Sequence, residues 1–281
     1  MRTELREILE RVESLYDDSR KEAYGLWFRG QRSAKWPLRS TLHRRVEIQF
    51  EAMGDPTAAP QDRQGLLREE YKSAFYLFKT DGLLLLDPYE RTDWGIAFSM
   101  QHHGIPTRLL DWTESFACAL FFAQADREKD EDAAIFALKA DQLNKVSTGR
   151  EGLISIIEDQ GVKTSIELAK WLPAYVPTGT DSPLSTIAVL PPRSNPRMLA
   201  QRATFTVCGD SFSPLEDEYS SVITKIVLPA TLFAEVESFI ELLGIGPYSY
   251  FPDLEGLAMR FREKSRFELR HMRRMLGKKT P

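Results

Sequence analysis

Cysteine and histidine are scarce in this chain of 281 residues, which has two of the first and four of the second. Cys118 and Cys208 lie far apart in apolar or strand-like surroundings, so neither a disulfide framework nor a thiolate metal centre is expected, and both read as core thiols. His102 and His103 are adjacent and cannot face the same way on a helix. With no further histidine or carboxylate at zinc-like spacing, no metal site is expected. No run of about 18 apolar residues occurs, which excludes a membrane-spanning helix. The N-terminus, MRTELREILERVESL, is charged throughout and lacks the apolar core of a secretory signal. A cytoplasmic protein without a membrane partner is the expectation. Also missing are a phosphate loop, a dinucleotide glycine fingerprint, a nucleophile elbow and any internal repeat.

What is present is an ordinary globular composition, 42% apolar and 28% charged, long enough for one large domain or two small ones. The net charge of −4 is unevenly spread. The segment RFREKSRFELRHMRRMLGKK near the C-terminus is strongly basic, and Phe261, Phe267, Leu269 and Met272 among its arginines fit either a solvated helix or an amphipathic one laid on the body or on nucleic acid.

Residues 1–23 carry Leu5, Ile8, Leu9, Val12 and Leu15 at helical spacing. LWFRGQ reads as a short strand, with Gly30 allowing a sharp departure or a close ligand approach. EAMGDPTAAPQDRQG reads as a loop, and LLREEYKSAFYLFKT returns to helical spacing. A helix after Pro88 ends at Gly104, and an apolar helix follows a cap at Thr113 or Ser115. DAAIFALKA, STIAVLPP, RATFTVCG and TKIVLPA are β-rich runs, and ATLFAEVESFIELLGI is an amphipathic helix. Helices first and strands later predict an α+β fold: a single compact domain over 24–258 with a central, mainly antiparallel or split β-sheet flanked by helices. An N-terminal helix (1–23) and a basic helical tail (259–281) are added to it.

Three segments concentrate chemistry. Phe28-Arg29-Gly30-Gln31 opens a cluster that continues with Arg32, Lys35, Trp36, Arg39, Arg44 and Arg45. An arginine delivered by a strand beside a glycine can point its guanidinium at phosphate or carboxylate; a structural ion pair is the other reading. The second segment is QHHGIPTRLLDWTESF. There one histidine of His102 and His103 is expected to face a cleft and to hydrogen-bond a ligand or move a proton, with His103 favoured because it borders the Gly104 turn. Arg108 and Asp111 either pair with each other or backbone, or Asp111 orients Arg108 or a ligand hydroxyl while Trp112 offers an aromatic wall beside Thr113. The third is NPRMLAQRATFTV, where the Gln201 amide can orient a ligand but cannot act as a base.

Together these blocks resemble the FRG domain family, named for a Phe-Arg-Gly motif that is here Phe28-Arg29-Gly30. Its second block is matched by QHHGIPTRLLDWTESFACALFFA and its closing signature by FPDLEGLA. Its third is matched by RMLAQRATF, with Ala203 where glycine is usual. More weakly, the order of segments is similar to the architecture of ADP-ribosyltransferases. That likeness implies NAD as substrate or cofactor, with Arg29 on the diphosphate, the Asp111-Trp112-Thr113 block at the nicotinamide, and Gln201 at the ribose. With the residue-by-residue reading, the catalytic candidates are Asp111, His103 and Gln201, and the ligand-binding ones are Phe28, Arg29, Gly30, Gln31, His102, Arg108, Trp112 and Thr113, with Arg29 and Arg108 expected on phosphates. The resemblance implies an ADP-ribosyltransferase or NAD glycohydrolase effector in phage defence or a toxin system. The alternative is a non-enzymatic module that binds a nucleotide signal or nucleic acid.

Overall fold

The computed structural model describes residues 3–21, 25–149, 152–156 and 184–262. Its centre is a seven-stranded sheet in the order β4-β5-β6-β2-β1-β3-β7. The strands are β1 (Leu26–Gln31), β2 (Leu109–Thr113), β3 (Ala133–Lys139), β4 (Ile154–Ser155), β5 (Ile187–Leu190), β6 (Ala203–Val207) and β7 (Ile223–Leu228). Among the described residues only the β4–β5 pair is parallel. The helices that matter below are α1 (Thr3–Ser19), α2 (Thr41–Ala52), α3 (Pro60–Gly82), α4 (Asp93–His102), α5 (Phe116–Gln124) and α6 (Ala140–Thr148), then α7 (Pro196–Ala200), α8 (Leu215–Glu218), α9 (Phe233–Leu242) and α10 (Pro247–Tyr250). The α+β architecture expected from the sequence is what the chain adopts.

Strand alternation divides the apolar residues between two layers. Leu26 and Phe28 of β1 join Ile135 of β3 and Ile226 of β7 under α1, α5 and α9, which contribute Leu5, Leu120 and Val236. Trp27, Phe136, Leu110 and Trp112 point the other way and pack with Leu143 of α6. Beside these, α4 lays Trp94, Ala97 and Phe98 on Leu109, Phe205 and Ile187. Its other residues, Ile96 and Met100, join α2 and α3 through Leu42, Val46, Tyr71 and Phe75.

Two local expectations change. LLDWT, which is not among the β-rich runs read from the sequence, is a strand, because both of its edges find partners: Leu109 to Thr113 pair with Val207 to Ala203, and Thr113 also pairs with Phe28. The loop expected over 51–65 shrinks to the residues between Ala52 and Pro60, since Pro60 occupies the first turn of α3, where its missing N–H costs nothing. The basic tail lies outside the described residues beyond position 262. No helix among the described residues is long and apolar enough to cross a membrane.

The sheet is not continuous in its middle. Residues 26 to 31 of β1 pair with β3 along the whole strand, from Leu26↔Lys139 to Gln31↔Ala134. Against β2 the same strand makes a single pairing, Phe28↔Thr113. Past that point the two half-sheets part, with α4 against one and α5 against the other.

Candidate functional site

A cavity of about 720 Å³ opens where β1 and β2 separate. Its walls come from β1 and the turn after it, from Phe98, Gln101 and His102 of α4, from Cys118, Ala119 and Phe122 of α5, and from Arg197 and Gln201 around α7. A volume of this size is ordinary for a small-molecule site.

Arg29 is the group that spans the opening. Its side chain is 19% exposed, and its Nη1 donates to the Asp111 carbonyl oxygen at 2.7 Å and lies 3.6 Å from Asp111 Oδ2. Burial lowers the pKa of this guanidinium and the nearby Asp111 offsets part of the effect, but an arginine remains charged throughout the physiological range. Its Nε has no hydrogen-bond partner among the described residues. Gln31, also in the wall and 5% exposed, has an amide oxygen in the same condition. Buried polar atoms without partners are costly, and both are suited to a ligand that brings its own donors and acceptors.

Asp111 is held from two sides. The Thr107 hydroxyl donates to Gln101 Oε1 at 2.5 Å, which fixes the amide so that its Nε2 donates to Asp111 Oδ2 at 2.9 Å. Thr107 is fixed in turn by the Leu109 N–H, which donates to its oxygen at 3.0 Å. The carboxylate side chain nevertheless stays 54% exposed toward the cavity.

The electrostatic sign is clear. Among the described residues, Arg29, Arg32, Arg44 and Arg197 line the cavity against one carboxylate, Asp111. Lys35, Arg39 and Arg45 of the same sequence cluster are instead paired with Glu131, Glu47 and Glu70. Half of the basic cluster is therefore paired and half lines the cavity. His102 completes the rim. Burial lowers its pKa first, and Arg197 and His103 lower it further, so it is a neutral hydrogen-bonding imidazole at pH 7. Burial pushes the Cys118 thiol up to about 12, which makes it a wall group and not a nucleophile.

The structure brings Phe28, Arg29, Gly30, Gln31, His102, Asp111, Trp112, Thr113 and Gln201 to this cavity. His103 is not among its lining residues: α4 ends at His102, and His103, its C-cap, is exposed with its ring edge-on to that of His102. Arg108 is not there either. It is 2% exposed and donates to Asp210 Oδ1 at 2.9 Å and to the Gly209 carbonyl at 3.0 Å, so it is a buried structural cation. Trp112 contributes little surface. It is 3% exposed, its indole N–H donates to Thr206 Oγ1 at 3.0 Å, and its ring packs in the core with Trp27 and Phe136.

Gln201 sits at the wall with its amide N–H given to the Tyr250 carbonyl at 3.1 Å, while its own carbonyl accepts from Thr113 Oγ1 at 2.6 Å. It braces α7 against β2 and α10. Ser115, not Thr113, caps α5, accepting from the Cys118 N–H.

Gly30 serves helix packing. A Cβ there would lie 1.9 Å from the Ala119 carbonyl oxygen and 2.6 Å from the Ala123 nitrogen. The glycine of the Phe-Arg-Gly motif thus lets α5 lie directly on β1, which brings Cys118, Ala119 and Phe122 to the cavity.

Sequence reasoning did not assign Arg32, Arg44, Gln101 or Cys118 to the site. For Gln101 the signal was the helical spacing from Phe98, which puts both on one face of α4.

No curated protein and no solved structure is significantly similar to this chain. Residues 25–132, which run from β1 through α5 and carry Arg29, Gln101 and Asp111, match the model of the FRG domain family.

Proposed function

We propose that the cavity binds NAD or a related nucleotide by its phosphates, and that the protein cleaves the nicotinamide–ribose bond, releasing or transferring ADP-ribose. The observation that carries this reading is the parted sheet, with the Arg29 guanidinium and the Asp111 carboxylate together at the opening. Four arginines against one carboxylate select an anion, and guanidinium is the side chain suited to phosphate oxygens.

In the reaction the C1′–N bond breaks and its electron pair goes to the pyridinium nitrogen, so that nicotinamide leaves neutral and positive charge develops on the ribose. The Asp111 carboxylate stabilises that charge. Water or an acceptor then adds at C1′ and loses a proton to solvent or to the neutral His102. A role in phage defence or as a toxin would follow from depletion of NAD or modification of a host target.

One observation favours a second reading, binding without turnover. Asp111 already receives hydrogen bonds and charge from Gln101 and Arg29, which spends part of the negative charge that catalysis would use.

Calorimetric titration with ADP-ribose and an assay of nicotinamide release from NAD test both. Arg29→Ala is expected to weaken ADP-ribose binding by about 10- to 100-fold with the fold intact by circular dichroism. Asp111→Asn is expected to keep that affinity while cutting nicotinamide release by about 100-fold. Tight binding with no release by the wild type selects the second reading, and no binding of either nucleotide removes both.

A further inference from the structure

We infer that Arg32 and Trp36 form a stacking platform for the purine base of the bound nucleotide at the outer end of the cavity, an inference that rests on the nucleotide reading above. Trp36 is 46% exposed although it belongs to a residue type that is usually well covered. The Arg32 guanidinium carbon lies 5.0 Å from the centre of its ring, and both side chains line the cavity. A guanidinium layered with an indole presents two flat, polarisable surfaces of the kind on which nucleobases stack.

The exposure is not that of a loose loop. The turn holding these residues is pinned before Trp36, where the Ala34 N–H donates to the Asp132 carbonyl at 2.6 Å and the Ser33 hydroxyl donates to Glu131 at 2.7 Å. Lys225 Nζ donates to the Ala34 carbonyl at 2.6 Å. It is pinned again after Trp36, where the Leu38 N–H donates to Glu216 of α8 at 2.9 Å and the Leu38 carbonyl accepts from the Leu215 N–H at 3.1 Å. A turn fixed on both sides holds the indole out at little entropic cost on binding, which is what preorganisation of a ligand site requires.

The platform also lies at the appropriate end. Arg29 and Phe28 are the deeply placed members of the wall, at 19% side-chain and 2% residue exposure, while Arg32 and Trp36 are exposed. With phosphates on Arg29 and Arg44, the reacting ribose lies on the Asp111 side of them and the base on the Trp36 side. Gln31, between the two regions in sequence, supplies its unpartnered amide oxygen to an N–H or O–H of the same ligand.

The test is titration of the full chain and its Trp36→Ala and Trp36→Phe variants with ADP-ribose, ribose 5-phosphate and nicotinamide mononucleotide. Trp36→Ala is expected to weaken ADP-ribose about tenfold and leave the two other ligands unchanged, while Trp36→Phe keeps most of the affinity and neither changes the melting temperature. Equal weakening of ADP-ribose and ribose 5-phosphate overturns the platform, as does a loss confined to nicotinamide mononucleotide or no loss at all. If the wild type binds none of the three, the nucleotide reading itself has failed, and the platform fails with it.

Discussion

Two arginine–aspartate constellations among the described residues, at Asp210 and at Asp111, differ in almost every respect that decides between structure and function. At Asp210 the carboxylate is 1% exposed and receives Arg108 at 2.9 Å, Arg68 at 2.7 Å and the Leu184 N–H at 3.1 Å. Burial works to raise its pKa, but Arg108 and Arg68 outweigh burial and hold the group below the usual carboxylate range. At Asp111 the carboxylate faces a cavity and its partner Arg29 keeps an unpaired Nε. The first set is closed and consumes its own hydrogen-bonding capacity; the second is open and retains some. Arg108 and Asp111 stand three residues apart in extended chain, an odd separation that sends them to opposite faces. Proximity in sequence therefore misled: the pair belongs to two different sites.

The largest effect separating the two constellations is expected in stability. Asp210→Ala strands the Arg108 guanidinium in the interior and should cost about 3–5 kcal/mol in urea denaturation, whereas Asp111→Ala removes a carboxylate that is 54% exposed, leaves Arg29 its bond to the backbone carbonyl of residue 111, and should cost less than about 1 kcal/mol. Equal losses would abolish the distinction between a closed and an open set.

An effect confined to acid pH is expected from His43, which belongs to the closed region. Its Nε2 donates to the Gly209 carbonyl at 3.1 Å, since a carbonyl can only accept, so its Nδ1 accepts from Ser40 Oγ at 2.8 Å. Burial first and then Arg108 lower its pKa from 6.5 to about 3. The unfolded chain binds the proton before the folded one does. Stability is thus complete above about pH 6.5 and falls toward pH 3, by at most about 1.4 kcal/mol per unit. Denaturation at several pH values should show a shallower acid decline in His43→Gln than in the wild type.

The smallest effect on stability is expected at Gln101. Gln101→Leu should change it by less than about 1 kcal/mol yet free the Asp111 carboxylate to rotate, and kcat/KM for nicotinamide release should fall about tenfold. An unchanged rate would show that Gln101 does not position Asp111.

Much of the architecture was legible. The runs around β3, β5, β6 and β7 are β-rich and bounded by turn residues, and the apolar stripe of α1 is plain in its spacing. LLDWT was not legible as a strand: it is short, runs straight toward a strongly helical segment, and owes its extended form to partners far away in the chain, Val207 through Ala203. Membership of the site followed the same division. Arg29, Asp111 and Gln201 could be nominated from their local motifs. That Arg197 and His102 share a wall, or that Trp112 turns into the core, depends on how α4 and α7 pack and on strand parity. The matched FRG stretch ends at residue 132, so the wall made by Arg197 and Gln201 is supplied by chain beyond it.

Where β1 leaves β2, the tie between the half-sheets passes from backbone to the Arg29 side chain reaching the Asp111 carbonyl. A backbone ladder admits one spacing; a side chain has rotamers, and an anion competes with the carbonyl for the same N–H groups. On the nucleotide reading proposed above, the width of the gap would be coupled to occupancy, because the side chain that bridges the two halves would also be the first group a phosphate recruits.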